Sequence, residues 1–459
     1  MFGQLMQPEI LDLIEKRDLP TLKSVMEDWY PIDIADLLND LPLNEKAIIF
    51  RILPKEKATE VFEYLDVNAQ IDLLKAMANE DVVFILNDMS PDDRTALLEE
   101  LPPEIAKQLI SLLTPQERAI AQKLLGYPEN SVGRLMTPDY IAVHPDWTIN
   151  QVLDYIRKHG KETETFNNIY VIDDKGRLID DIQLREILLS EPDQKVSDIM
   201  DGNYISLNVD DDQEKAFEVF KKYDRIALPV TGSNGVLIGI VTVDDIIDVA
   251  IEETTEDIQK IGAVAALEEP YTSTSLFKMV KKRVGWLSIL FIGEMLTATV
   301  MGYYENAIAK AVVLALFIPL IVSSGGNSGS QAATLIIRAL SLGELSIKDW
   351  WFVTRREFFS GLMLGAILAI IGFLRITIWQ VSSGIYGPYW VLIGLAVSIS
   401  IVGVVTWGTL VGSLLPLIFK SLGFDPAASS TPFVATLVDV TGVAIYFNTA
   451  TLFLRGILL

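Results

Sequence analysis

The sequence contains no cysteine and only two histidines, His144 and His159. The lack of cysteine excludes disulfide bonds and thiolate metal sites, and two histidines argue against a zinc centre or an imidazole-based active site. No nucleophile paired with a general base is evident, so we expect a protein that is not an enzyme. The first thirty residues lack the apolar core of a cleavable signal peptide, which predicts a cytoplasmic N-terminus.

Negative charge is scarce in the C-terminal part of the chain. From Val284 onward there are seven acidic and eight basic residues, a net charge of +1. The whole chain carries −24, so residues 1–283 carry −25. Such an excess argues against nucleic acid or anionic lipid as a partner of this half and favours cations. A merely soluble acidic surface is the alternative interpretation.

The long apolar runs lie where the negative charge is missing. A helix needs roughly 20 apolar residues to cross a bilayer. Basic residues flank several of these runs, as in Lys281–Arg283, and belong on the cytoplasmic side. An odd number of spans then places the C-terminus outside. We predict five spans, near Trp286–Tyr304, Ala307–Ile337, Phe358–Trp379, Trp390–Phe419 and Phe433–Leu454.

Asp439 is a lone carboxylate inside the fifth predicted span. A carboxylate at membrane depth costs roughly 2.5–3.5 kcal/mol on insertion scales, so such residues usually face water or a cation path. One aspartate per chain is a poor cation site, but two copies facing each other across a two-fold axis would suit hydrated Mg²⁺. We therefore predict a homodimer with Asp439 at a cation site.

A polar, glycine-rich run from Ser323 to Gln331 follows Pro319 at membrane depth. Because proline removes a helical hydrogen bond, we expect breaks at Pro319 and at Pro416 in the fourth span. Loosened backbone there must be buried in protein or line water, which makes Asn327 a candidate pore residue. Close helix packing through small residues is the alternative. Glu294, in the first span, is a further pore candidate, unless its carboxyl only hydrogen-bonds a neighbouring helix.

The N-terminal half predicts three domains. Over residues 1–131, prolines recur at intervals of 12, 37, 11 and 13 residues, which predicts a superhelix of helices about twelve residues long with proline in the first turn. Residues 132–196 and 197–252 repeat a strand, turn, strand and helix, as in Ile169–Ile179 and Leu228–Ile238. A connecting helix over 253–283 would lead to an all-α membrane domain over 284–459.

An acidic stripe runs along the predicted helix after the second copy. Asp245, Asp248, Glu252 and Glu256 are spaced so that they share one helix face. Like charges on one face destabilise a helix unless cations or bases neutralise them. The functional interpretation is a divalent-cation sensor attached to the pore, and the alternative is an ordinary solvated helix.

The two copies resemble a tandem pair of CBS domains. Members that bind adenine nucleotides such as ATP often use a Gly-x-x-Thr-x-x-Asp turn, which the second copy contains as Gly239, Thr242 and Asp245. The first copy has Asp180, Gln183 and Glu186 at these positions. The resemblance therefore implies at most one such nucleotide site.

The order of the domains and two motifs, Phe317–Arg338 and Pro432–Gly442, resemble the MgtE family of magnesium channels over nearly the whole chain. The resemblance implies a homodimer for Mg²⁺ uptake in the bacterial inner membrane, with Asp439 and the carbonyl group of Ala435 holding hydrated Mg²⁺. It also implies closure by intracellular Mg²⁺ bound to regulatory acids, here Glu60, Asp92, Asp93, Asp224, Asp245, Asp248, Glu256 and Asp257. Two alternatives stay open: a carrier coupled to Na⁺ or H⁺, and a membrane-anchored sensor of Mg²⁺ or nucleotide.

Overall fold

The computed structural model describes residues 2–267, 271 and 274–457. The chain divides into two compact units, Met1–Ile251 and Glu252–Leu459. The first unit contains the helical domain and both α/β domains, and the second contains the membrane-spanning helices. The expected fold class is confirmed: an α-helical superhelix, a tandem α/β pair and an all-α membrane domain.

The N-terminal domain is built from short helices whose apolar faces share one core. Residues such as Ile34, Ile49 and Leu73 are fully buried in it. From the second helix onward, one helix begins every 12 residues. The helices are α1 Phe2–Glu15, α2 Leu19–Glu27, α3 Pro31–Asn39, α4 Leu43–Ile52, α5 Lys55–Glu63, α6 Val67–Ala76, α7 Asn79–Asp88, α8 Pro91–Glu100, α9 Pro103–Leu112 and α10 Pro115–Leu124.

The structural repeat is a pair of these helices, 24 residues long, and one side chain per repeat joins it to the next. The last residue of α3, Asn39, accepts the backbone N–H of Asp66 at 3.3 Å, and Asn87 of α7 accepts that of Thr114 at 2.7 Å. Glu63 occupies the equivalent position in α5. The twelve-residue period was predicted, whereas prolines 42, 54 and 102 lie at the N-cap rather than in the first turn.

Residues 131–242 form two similar three-stranded sheets. The sheets contain β1 Ala142–Val143, β2 Asn168–Ile172 and β3 Leu178–Gln183 in one copy, and β4 Leu207–Asn208, β5 Ala227–Thr231 and β6 Leu237–Thr242 in the other. In each copy the first pairing is parallel and the second antiparallel. Tyr170, Leu178, Leu237 and Ile240 are buried where the copies meet. The helices are α11 Val132–Leu135, α12 Ile149–His159, α13 Leu184–Leu189 and α14 Gln213–Tyr223.

A single helix, α15, runs from Val243 to Ile261 and crosses the expected boundary between residues 252 and 253. The backbone at 262–267 is not helical, and the next helix begins at Leu276. The connecting helix is therefore shorter than the predicted 253–283. Residues 268–270, 272 and 273, which belong to that predicted segment, lie outside the described residues.

The second unit contains five helices long and apolar enough to span a membrane, as predicted. They belong to α16 Leu276–Tyr303, α19 Ile318–Ser341, α20 Trp350–Ser383, α21 Trp390–Ser421 and α22 Thr431–Leu454; the short helix α17 Glu305–Lys310 precedes the second span, and α18 Val312–Ala315 begins it. Pro319 lies at the start of α19, where a missing N–H costs little. The prediction of a helix break at Pro416 is wrong, because α21 continues through this residue.

The glycine-rich run from Ser323 to Gln331 is also helical throughout, so the expected loosening of its backbone is wrong. The glycines instead allow α19 to approach α21. A Cβ at Gly329 would lie 2.8 Å from the carbonyl oxygen of Gly408, and one at Gly412 would overlap the carbonyl oxygen of Gly329. Small residues therefore permit direct backbone contact between these two helices, as the alternative interpretation held.

Candidate functional site

Asp439 lies on α22 where three membrane helices meet. Its carboxyl group hydrogen-bonds Glu294 of α16. A Cβ at Gly326 of α19 would lie 3.5 Å from Oδ1 of Asp439 and 3.5 Å from the Cβ of Ala435. Ala435 is one helical turn before Asp439 on the same helix. The structure thus brings together the predicted pore residues Asp439, Ala435 and Glu294.

Asn327 follows Gly326 on α19 and is exposed on the surface of the chain. Its side-chain N–H₂ donates to Oγ of Ser323, one turn earlier, at 3.5 Å. Glu294 is exposed as well, and Asp439 is half-buried. Polar and charged atoms therefore reach the surface of a single chain at membrane depth, where they need water or a second protein surface.

The first unit contains a cluster of acidic side chains on several elements. Asp92 and Asp93 begin α8, where Oγ of Ser90 donates to Oδ2 of Asp93 at 2.7 Å. Asp92 is buried, and its Oδ1 accepts the backbone N–H of Asp93. The other members of the cluster are Glu63 of α5, Asp139, Glu164, and Asp244, Asp245 and Asp248 of α15.

Several acids of this cluster hold protons more tightly than ordinary carboxyls. Burial, together with a smaller effect of nearby carboxylates such as Asp92 and Asp93, raises the pKa of Glu63 and of Asp245 to about 8. Burial likewise raises the pKa of Glu164 to about 7 and that of Asp93 to about 6. The clustered carboxylates therefore oppose one another when ionised and would be stabilised by a cation.

Sequence reasoning anticipated Asp92, Asp93, Asp245 and Asp248 in this cluster but missed Glu63, Asp139, Glu164 and Asp244. The signal for Glu63 is in the repeat. Its Oε1 accepts the backbone N–H of Ser90 at 2.9 Å, a bond made in the neighbouring repeats by the uncharged Asn39 and Asn87. Glu60 is exposed and lies close enough to affect the Tyr64 hydroxyl, whose pKa is raised by burial and by neighbouring acids.

The cluster is an electrostatic arrangement rather than a preformed metal cage. Within the described ranges, no group of three or more His, Asp or Glu side chains has the geometry to hold a metal ion. The donors are carboxylate oxygens, which is the chemistry that hard divalent cations prefer.

The remaining predicted acids lie elsewhere. In the second unit, Glu256 and Asp425 both pair with the ammonium group of Lys260, at 2.5 and 2.6 Å. Oγ of Ser341 donates to Asp257 at 3.0 Å, and the hydroxyl of Thr431 donates to the carbonyl oxygen of Ile261 at 3.1 Å. These bonds join the C-terminal end of α15 to α19 and to the segment that begins α22.

Within the predicted nucleotide-binding turn, the polar side chains of Thr242 and Asp245 hydrogen-bond each other. Asp245, in the first turn of α15, accepts the hydroxyl of Thr242 at 2.8 Å and its backbone N–H at 3.4 Å. A Cβ at Gly239 would lie 2.8 Å from the carbonyl oxygen of Thr137, so this glycine permits close packing. A cavity of about 520 Å³ opens elsewhere in the CBS pair and is lined by Asn167, Asn168, Gln183, Arg185, Asp224 and Arg225, among others. Asp224 adopts a left-handed conformation at the end of α14.

Comparison with known proteins agrees with this architecture. Residues 318–449 match the MgtE divalent cation transporter family, residues 29–130 the MgtE intracellular N domain, and residues 132–190 and 196–252 the CBS domain. The magnesium transporter MgtE of Thermus thermophilus is 35% identical over 97% of this chain and 98% of its own length. That of Bacillus subtilis is 31% identical over 98% of this chain and 97% of its own length.

A solved structure, the cytosolic domain of the Mg²⁺ channel MgtE in complex with ATP, is 34% identical to this chain. It covers 53% of this chain and 99% of its own chain, with a TM-score of 0.51. The similarity to the whole-length relatives extends through every domain described above. The chain therefore belongs to the MgtE family of divalent cation transporters.

Proposed function

We propose that the chain is a Mg²⁺ channel for uptake across the bacterial inner membrane, closed by intracellular Mg²⁺. The observation that carries the proposal is the group of polar side chains at Asp439, Glu294 and Asn327, which lie within the membrane-spanning helices. Relatives at 31–35% identity along the whole chain are named magnesium transporters, which supports Mg²⁺ as the substrate.

The ion site uses two chains. Two copies related by a two-fold axis would bring both Asp439 side chains and both exposed Asn327 side chains to one path. Mg²⁺ dehydrates reluctantly and keeps several waters, so a few carboxylates and carbonyls, including that of Ala435, suffice to select it. The N-terminus would lie in the cytoplasm and the C-terminus outside.

Replacing Asp439 tests the pore. In proteoliposomes, D439A should abolish Mg²⁺ flux while the protein stays a folded dimer, as measured by light scattering. The control is E344A, which removes an exposed acid of the same unit outside the spans. Flux at the unmodified rate in D439A would refute the assignment.

Closure would use the acidic cluster of the first unit. The clustered carboxylates repel one another unless a cation lies among them, so low Mg²⁺ would disperse them and high Mg²⁺ would hold them together. Each bridged site contributes roughly 1–3 kcal/mol, the usual scale of allosteric coupling. Moving a gate from mostly open to mostly closed takes about 5.5 kcal/mol, which several bridged sites would provide together.

The end of α15 would transmit this change to the pore. Lys260 joins Glu256 to Asp425, and Asp425 caps the short 3₁₀ helix Pro426–Ser429, directly before α22. Asp439 lies on α22 itself. A shift of α15 therefore acts on the helix that carries the ion site, through bonds within the second unit.

A channel and a carrier make different predictions. Unitary Mg²⁺ currents across a voltage-clamped bilayer, disappearing as cytoplasmic Mg²⁺ rises towards about ten millimolar, would support the channel. Flux that appears only with a Na⁺ or H⁺ gradient would refute the channel and support a coupled carrier. A membrane-anchored sensor would show neither current nor flux.

ATP would bind the CBS pair in the cavity beside Arg185 and Arg225. These two cations lie in a strongly acidic half of the chain and suit phosphate groups. The solved ATP complex of a cytosolic MgtE domain supports the ligand. Titration of ATP into the R185A variant, which should weaken binding, tests the location.

A further inference from the structure

Glu294 is the one acidic residue within the first membrane span, and the structure sets it against Asp439. The neighbouring residue explains the approach. A Cβ at Gly293 would overlap the side chain of Thr436, which lies one turn before Asp439 on α22. The backbone of α16 therefore rests directly on α22 at this level, and the next side chain along α16 reaches the ion site.

The surroundings of Glu294 are otherwise apolar. Phe291, Ile292, Met295 and Leu296 are each more than half exposed on the surface of the chain. The ion pairs that the structure records for the second unit use Lys260, Glu256 and Asp425, and involve neither Glu294 nor Asp439. When both are ionised, two carboxylates in contact repel unless a cation lies with them, and among the described residues no base pairs with either one.

We propose that Glu294 is a second acidic ligand of the permeating ion and sets its preference for divalent over monovalent cations. The inference rests on the proposed pore at Asp439 and extends it. In a dimer the ion site would then hold four carboxylates rather than two. Glu294 would act on the hydrated ion through its water shell, because Mg²⁺ keeps several waters in protein sites.

The number of carboxylates determines how strongly a divalent ion is favoured. A divalent cation gains twice the electrostatic attraction of a monovalent one from each added negative charge, so added carboxylates raise selectivity. Removing Glu294 should therefore weaken Mg²⁺ binding in the pore more than Na⁺ binding. The channel should still conduct, because Asp439 remains.

The test compares E294Q, E294M and unmodified dimers in planar bilayers with Mg²⁺ and Na⁺ present. E294Q keeps the volume and a hydrogen bond but removes the charge, whereas E294M keeps only the volume. We expect both variants to lower the Mg²⁺/Na⁺ permeability ratio about tenfold and to raise the half-saturating Mg²⁺ concentration. The matched control is E305Q, an exposed glutamate beyond the end of α16, which should change neither quantity.

Every other outcome overturns the proposal. A normal permeability ratio in E294Q with a defect only in E294M would assign Glu294 to hydrogen bonding between helices. Failure of E294Q to assemble would assign it to helix packing. D439A, measured in parallel, separates the proposed role of Glu294 from the proposed pore. If D439A is inactive and E294Q is unchanged, only the role of Glu294 is refuted. An active D439A refutes the pore itself.

Discussion

Replacing Glu63 by glutamine should stabilise the clustered arrangement of the first unit in the absence of Mg²⁺. Glutamine retains an oxygen that accepts the backbone N–H of Ser90 but removes a charge from beside Asp92 and Asp93. The repeat supports the change, because Asn39 and Asn87 do the same structural work without charge. The variant therefore separates the structural role of this position from its electrostatic one.

The magnitude follows from the pKa of Glu63, which burial raises from 4.5 to about 8. At pH 7 a carboxyl with this shift opposes folding by about 3 kcal/mol relative to a neutral side chain. Glu63 is partly exposed, so solvent screening reduces the expected gain in E63Q to about 1–2 kcal/mol.

The sign of the pH dependence is also determined. Because the folded pKa is raised, the penalty is absent below about pH 4.5, grows as pH rises, and is complete above about pH 8. E63Q should therefore raise the free energy of unfolding at pH 7.5 and leave it nearly unchanged at pH 4.5. Closure of the full channel should occur at about fivefold to thirtyfold lower Mg²⁺.

The assay is denaturant unfolding of the cytosolic half at the two pH values without Mg²⁺, together with Mg²⁺ titration of currents in the full chain. The matched control is N87D, which introduces an acid at the equivalent position of the next repeat, where the side chain accepts the backbone N–H of Thr114. Equal stability of E63Q and the unmodified protein at pH 7.5, or a gain independent of pH, would refute the electrostatic reasoning.

Three further predictions concern other parts of the chain. G412A should destabilise the membrane unit by about 1–3 kcal/mol, because a Cβ there would overlap the carbonyl oxygen of Gly329. G285A, which has open space around it, should not destabilise the unit, and thermal unfolding in detergent compares the two variants. K260Q should remove the link from Glu256 to Asp425. Because these partly exposed ion pairs contribute about 1 kcal/mol, the Mg²⁺ concentration for half closure should rise about fivefold, and K348Q serves as control. R185A should lower ATP affinity about tenfold or more while T242A leaves it unchanged; calorimetry showing the reverse would return the nucleotide to the Gly-x-x-Thr-x-x-Asp turn.

The five spans, the twelve-residue spacing of the N-terminal helices and the duplicated sheets were predictable because each depends on local periodicity or on segment length, although helices α2 to α10 are shorter than the twelve residues expected. Twenty apolar residues specify a span whatever surrounds them, and the copies separated by 59 residues do form matching strands. Asp439 could also be singled out as a candidate, because a charge at membrane depth is costly in any fold.

Prolines and glycines were less predictable, because their effect depends on neighbouring helices. Pro416 stays within α21, and the run around Gly325 remains helical against α21. A sequence pattern cannot distinguish loosened backbone from close packing, since both require small residues.

By itself, the sequence determined the domain order, the acidic and apolar halves and the lone aspartate, all of which follow from composition and spacing along the chain. Only the tertiary structure decided which acids meet. Asp92 and Glu164 lie far from Glu63 in sequence but raise its pKa, and the backbone contact at Gly293 brings Glu294 to Asp439. Electrostatic interaction depends on distance and burial, and both are properties of the folded chain.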